Sequence, residues 1–147
     1  MSRSIQKLLL VLMAVTLVGL VLAGFVVSGA MNGWLMALRA GNEAATIQNL
    51  KTVAVVEAQY FYSHRRTFGT FPQLVAEQML SSKFAANPAT ADGYVLTLTL
   101  ASDAASYTLV ADPASTREGT RHFYVDSISR QIHVNPDKPA GPDDPIL

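Results

Sequence analysis

Histidine is the side chain most ready to move a proton near neutral pH, and this chain of 147 residues has three of them, His64, His122 and His133. They lie far apart in the sequence. His64 stands beside Arg65-Arg66 in a polar stretch and reads as part of a solvated turn. His122 and His133 fall on adjacent predicted strands, where they could face one another; a pair of surface cross-strand neighbours is the simpler reading. No Ser/His/Asp order with a nucleophile elbow accompanies them, nor a glycine-rich phosphate loop, nor paired carboxylates in an apolar setting. Cysteine is absent, which excludes disulfides, cysteine-ligated zinc, iron–sulfur clusters and covalently attached c-type haem. Formal net charge is zero, and no basic stripe with interleaved aromatics suggests nucleic acid. The expectation is a chain that is not an enzyme, with no catalytic residue, no metal ligand and no cofactor assigned. A cofactor-binding residue is unknown from sequence, because an apolar helix can touch a pigment or lipid without leaving a motif.

The elements that would position any chemistry begin with an apolar helix. No charged residue occurs between Leu8 and Leu38. Leu8 to Met31 makes a helix of roughly 36 Å, enough to cross a hydrocarbon core of about 30 Å with some tilt. A lone span in lipid must be a helix, because only then is every backbone group satisfied. Arg3 and Lys7 precede it, so the positive-inside rule leaves residues 1–7 in the cytoplasm and sends the head outside, in a cytoplasmic (inner) membrane. Residues 8–38 are read as the transmembrane helix and its interface, with Lys7, Trp34 and Arg39 at the membrane surface. A cleaved signal peptide is the rival, with Ser28 and Ala30 suited to a cleavage site; the run is long for a signal segment, and retention is expected. Gly19 and Ala23 are four residues apart, as are Gly29 and Gly33. Such pairs let another helix approach closely, so these four residues are the candidate helix-packing site.

Residues 39–134 are read as an α+β head. Gly41-Asn42 marks a kink or a cap. From Glu43 to Tyr62 the stripe Ile47, Leu50, Ala54, Glu57 or Ala58, and Phe61 has helical spacing, and the simplest reading is one long helix, half in lipid and half packed on the head. A polar turn holds Gly69. Pro72 suits the first turn of a second short helix, which Leu74, Val75, Met79 and Leu80 extend to about Ser82 or Lys83. Asn87 to Asp92 reads as loop, closed by the turn signal Asp92-Gly93. Period two then takes over: Tyr94, Leu96, Leu98 and Leu100 form one face of a strand. Ser106–Ala111 is a second strand, Phe123 and Val125 begin a third, and Gln131–Val134 is a candidate fourth. Two helices followed by closely spaced strands predict an antiparallel sheet packed on a helix. Residues 135–147 carry four prolines and no apolar period, and read as extended or disordered. Tyr60, Phe61, Tyr62, Phe68 and Phe71 gather where the long helix meets the turn, for core packing.

These residues together resemble the type IV pilin-like superfamily, most closely the pseudopilins of type II secretion. The match runs from Asn42 to about Val134. It is carried by Asn42-Glu43-Ala44-Ala45, Asn49-Leu50-Lys51-Thr52, Glu57-Ala58-Gln59-Tyr60, Thr67-Phe68-Gly69-Thr70 with Gln73-Leu74-Val75, Asp92-Gly93-Tyr94, and Arg121-His122-Phe123-Tyr124-Val125-Asp126. The resemblance implies a long N-terminal helix packed on a small antiparallel sheet. The N-terminus departs from it. Leu10 stands near the family's cleavage glycine, Val15 near its glutamate and Asn32 near its helix proline. In that family the glutamate is relieved by a neighbouring subunit's N-terminal amine. Some pseudopilins hold calcium in a C-terminal loop; Asp126, Asp137, Asp143 and Asp144 are the candidate oxygens, but they lack the convergence of about 6–8 ligands that calcium needs.

The functional expectation is a single-pass, pilin-like structural or accessory subunit of a larger membrane complex. Its partners would be the lipid bilayer and other transmembrane subunits, met through the N-terminal helix. An energy-transducing assembly such as a photosynthetic reaction centre is one host of this kind. The alternatives are a pseudopilin or minor pilin of a secretion or pilus system, and a membrane-anchored periplasmic binding module.

Overall fold

The computed structural model describes residues 3–147, without the side chains of Leu8 and of residues 25–29. Helix α1 spans Arg3–Ser63. The chain divides into two units, one ending at Ala37 and one running Leu38–Leu147. Among the described residues the first unit is α1 alone, and its described apolar side chains are exposed apart from the half-buried Leu35. The rest of α1 belongs to the head. No break occurs at Gly41-Asn42; both glycine and asparagine are tolerated inside a helix whose face is otherwise well packed.

The head is an antiparallel meander of five strands in the order β1-β2-β3-β4-β5. These are β1 Ala89–Ala91, β2 Tyr94–Leu100, β3 Tyr107–Pro113, β4 His122–Asp126 and β5 His133–Asn135. Alternation decides the inner face. Tyr94, Leu96 and Leu98 of β2 pair with Pro113, Ala111 and Leu109 of β3, and Phe123 and Val125 of β4 continue the layer opposite Ala111 and Leu109. Leu50, Val53, Val56 and Tyr60 of α1 join these residues in one core. The buried line of α1 runs Glu43, Thr46, Leu50, Val53, Glu57, Tyr60, spaced 3-4-3-4-3 as one helix face requires. The stripe expected from sequence is therefore off-centre: Ile47, Ala54, Ala58 and Phe61 flank the buried line, half-exposed.

Two expectations change. The second helix, α2, is Phe71–Ala76 only. Thr70 caps it: its hydroxyl accepts the Gln73 N–H while the Gln73 side chain accepts the Thr70 N–H, a capping box. Gln78 then takes φ 60°, which ends the helix, and Leu80 and Phe84 reach the core through a 3₁₀ turn at Ser82–Phe84 rather than through continued helix. The stretch Asn87 to Asp92, expected as loop, contains β1. Before it, the Asn87 amide donates to the Leu98 carbonyl at 2.6 Å and accepts the Leu98 N–H at 3.0 Å, so a side chain extends the pairing as far as Leu98, two residues beyond Leu96. Asp92 and Gly93, at φ 51° and 76°, close a two-residue hairpin between β1 and β2. This is the type I′ geometry that Asp-Gly favours.

The proline-rich tail folds back on the edge of β5. Ile146 bridges His133, the Val134 N–H donates to the Pro145 carbonyl at 2.8 Å, and the Leu147 N–H donates to the Ile132 carbonyl at 2.8 Å. Asn135 and Asp144 brace the loop between: Asn135 Nδ2 donates to Asp144 Oδ1 at 2.8 Å, and Asp144 Oδ2 accepts the Gly141 N–H at 2.8 Å. The outer edge of β5 is thus covered.

Candidate functional site

The first candidate surface is the apolar part of α1. Arg3–Gly24 is long and apolar enough to cross a membrane, with mean hydropathy 2.4, and none of it is buried. Leu20 is 74% exposed. In water such a surface is unfavourable by about 25 cal/mol per Å². A Cβ added at Gly19 or Gly33 would meet nothing within 4 Å, and Ala23 is exposed. At 100° per residue, Gly19, Ala23 and Gly33 fall within an arc of roughly 80°. Gly29, the fourth predicted packing residue, lies in the stretch 25–29 whose surroundings are not described. Lys7 is exposed and Trp34 is 66% exposed. Arg39 is half-buried, and its Nε has no hydrogen-bond partner.

In the head, the polar residues that carry the resemblance hold α1 to the sheet and its loops. Asn42 Nδ2 donates to the Glu118 carbonyl at 2.9 Å and to its carboxylate at 2.8 Å. Glu43 is buried; its carboxylate accepts from Arg121 Nε at 2.7 Å and from the Thr120 N–H at 3.1 Å. Burial pushes the Glu43 carboxyl up, but the hydrogen bonds from Arg121 and Thr120 and the Arg121 charge outweigh it and hold it below its ordinary value. Further along the same face, Asn49 Nδ2 donates to Asp92 in the hairpin at 2.8 Å, and Lys83 Nζ donates to Asn49 and to Asp92, both at 2.9 Å.

Glu57 differs from these. It is 0% exposed, with one hydrogen bond: its Oε2 accepts the Gly69 N–H at 3.0 Å. Oε1 has no partner. Burial raises its pKa to about 7 against the pull of that one N–H. Sequence reading left Glu57 interchangeable with Ala58 on the apolar stripe; the signal available was a carboxylate at a core position.

The histidines are not brought together. His64 stacks on Tyr60 with ring centroids 3.8 Å apart, and its Nε2 lies 3.0 Å from Glu77. His133 is buried, opposite Tyr124 in the ladder rather than opposite His122, with Nδ1 2.6 Å from the Asp144 carbonyl. His122 Nδ1 lies 2.5 Å from Asp112 Oδ1, at the side of a cavity of about 410 Å³ that Ser115, Thr116, Thr120 and Asp137 also line. Two of the hydroxyls there serve the fold: Thr120 donates to Glu43 and Ser115 accepts the Arg117 N–H. Among the described residues no hydroxyl is hydrogen-bonded to the His122 imidazole, whose partner is Asp112. Of the candidate calcium oxygens, Asp126 accepts the Ile128 and Ser129 N–H groups and Asp144 is held by Asn135 and Gly141. Among the described residues no group of three or more acidic or histidine side chains converges as a metal site would.

Of the aromatic cluster, Tyr60, Phe68 and Phe71 enter the core, Phe61 packs against it and Tyr62 stays exposed. No protein-family model, curated protein or solved structure matches this chain.

Proposed function

We propose that this chain is a non-enzymatic, pilin-like accessory subunit of a larger membrane complex. A single N-terminal span holds it in the cytoplasmic membrane, with the N-terminus inside and the head outside. The observation that supports this most directly is the bare apolar surface of Arg3–Gly24 beside a head that closes its own core. Lipid removes the cost of that surface, and partner helices can occupy its small-residue face. The orientation rests on Arg3 and Lys7. The pilin-like reading of the head rests on a long helix against an antiparallel meander, held by the residues that carry the resemblance. An energy-transducing complex such as a photosynthetic reaction centre is a host in which such a subunit would serve.

Purification from native membranes in a gentle detergent tests this reading. Co-purification with a constant set of membrane subunits is the expected result; recovery as a lone monomer defeats it. The pseudopilin or minor-pilin reading is favoured by the same helix-on-sheet head, and intact mass separates the two. Leu10 and Val15, where the family has glycine and glutamate, support a full-length chain. Loss of about ten N-terminal residues with N-methylation, the processing that the resemblance implies, would favour the pilus system instead.

A further inference from the structure

An open groove of about 420 Å³ runs between α1 and the β4–β5 side of the sheet. Its lining is largely apolar, with Ala54 and Ala58 from α1, Val125 from β4 and Ile132 just ahead of β5. Lys51 and Arg130 also line it, no carboxylate does, and neither cation forms a salt bridge among the described residues. Both side chains are exposed. We infer that this groove docks an acidic amphipathic helix of a different protein.

Each part of that occupant follows from the lining. Ala54 and Ala58 are one turn apart, and small residues at that spacing let a second helix come close. A strand is disfavoured, because the tail already takes the β5 edge through Val134 and Leu147, leaving no ladder to extend. The two cations call for carboxylates flanking an apolar face, where complementary charge sets orientation and partner choice. A second copy of this chain has no such helix to offer. The only acids of α1, Glu43 and Glu57, are buried, and α2 has none.

The inference rests on the accessory-subunit reading, to which it adds a contact on the head. Its test uses the full chain in nanodiscs of zwitterionic lipid, with empty discs subtracted. The probe is a labelled designed helix of about five turns, leucine on one face and glutamate flanking it, compared with a twin carrying lysine for glutamate. Fluorescence anisotropy is expected to give binding of the glutamate helix at least about tenfold tighter than its twin. The double substitution Lys51→Glu, Arg130→Glu should reverse that order, and Ala58→Phe should weaken both helices by filling the groove. The charge changes are on exposed side chains, and unchanged near-ultraviolet circular dichroism confirms that the head stays folded. Equal binding of the two helices, an order that the double substitution leaves intact, or no binding at about 100 μM would overturn the inference, as would displacement of the probe by a second copy of the chain. If native subunits co-purify and the probe fails, this groove is wrong and the accessory role stands. If the probe binds and the chain purifies alone, the accessory role fails.

Discussion

At the scale of single residues, two glutamates on one helix face pull stability in opposite directions with pH. Glu43 is held below its ordinary value, so its contribution is present above the unfolded value of 4.5 and is lost as pH falls through the folded one. Glu57 is raised from 4.5 to about 7, so its contribution is full below 4.5 and is lost as pH rises through 7. Ionising Glu57 inside the fold, with one N–H for two oxygens, costs about 3 kcal/mol over that interval. The head should therefore be most stable near pH 5, between the two windows. Thermal unfolding of the full chain in detergent, followed by near-ultraviolet circular dichroism at pH 4 to 8, measures this. Glu57→Gln keeps an acceptor for Gly69 and removes the charge. It should leave the melting temperature at pH 5 little changed and raise it at pH 8; a wild-type profile flat between pH 5 and 8 would show that Glu57 is solvated or otherwise paired.

Among the elements, the β1–β2 hairpin carries more of the architecture than its length suggests. Gly93 sits at φ 76°, and a Cβ there would lie 2.5 Å from Asn42 Nδ2 and 2.9 Å from Glu118 Cβ. The turn, α1 and the loop after β3 thus meet where only glycine fits. Gly93→Ala should destabilise the head by about 1–3 kcal/mol, where Gly41→Ala, on α1 with open space around it, should be neutral or mildly stabilising. Comparing the two by chemical denaturation separates turn geometry from glycine content. The same hairpin marks where sequence reading stopped. Period two in Tyr94–Leu100 and the Asp-Gly signal were legible, because each is local. β1 was not: three residues, Ala89 to Ala91, are too short to display alternation, and their partner strand is what makes them a strand. α2 was over-extended for a related reason. Met79 and Leu80 continue the helical spacing set by Leu74 and Val75, but the core reaches Leu80 through a left-handed Gln78, a backbone choice with no periodic signature. The tail's order likewise depends on backbone bonds to Ile132 and Val134 and on the pair Asn135–Asp144, none of which has a periodic signature.

For the molecule as a whole, the sequence pattern separates an uncharged apolar segment from a head that closes its own core. That division was legible because it is compositional: an uncharged run from Leu8 to Leu38 against mixed polarity after it. The groove at Ala54 and Ala58 was not legible, since its far wall and Arg130 come from the other end of the chain. If the accessory reading holds, the small-residue face of α1 is where another transmembrane helix packs. Gly19 and Gly33 have open space at the Cβ position, so leucine at either would fit the isolated chain and would hold a neighbouring backbone away. Gly19→Leu and Gly33→Leu should each weaken association by about 1–2 kcal/mol, roughly a five- to thirtyfold loss of co-purifying subunits in gentle detergent. Leu20→Ile, on a different face of the same turn and equal in volume, should not. The head's near-ultraviolet signal and melting temperature should stay at wild-type values in all three variants, because none of these residues touches its core. Equal recovery of partners from all three would mean that the small residues only follow the composition of membrane helices. The complex, if one forms, would then be held through the head, and the Lys51–Arg130 groove would be the surface to alter next.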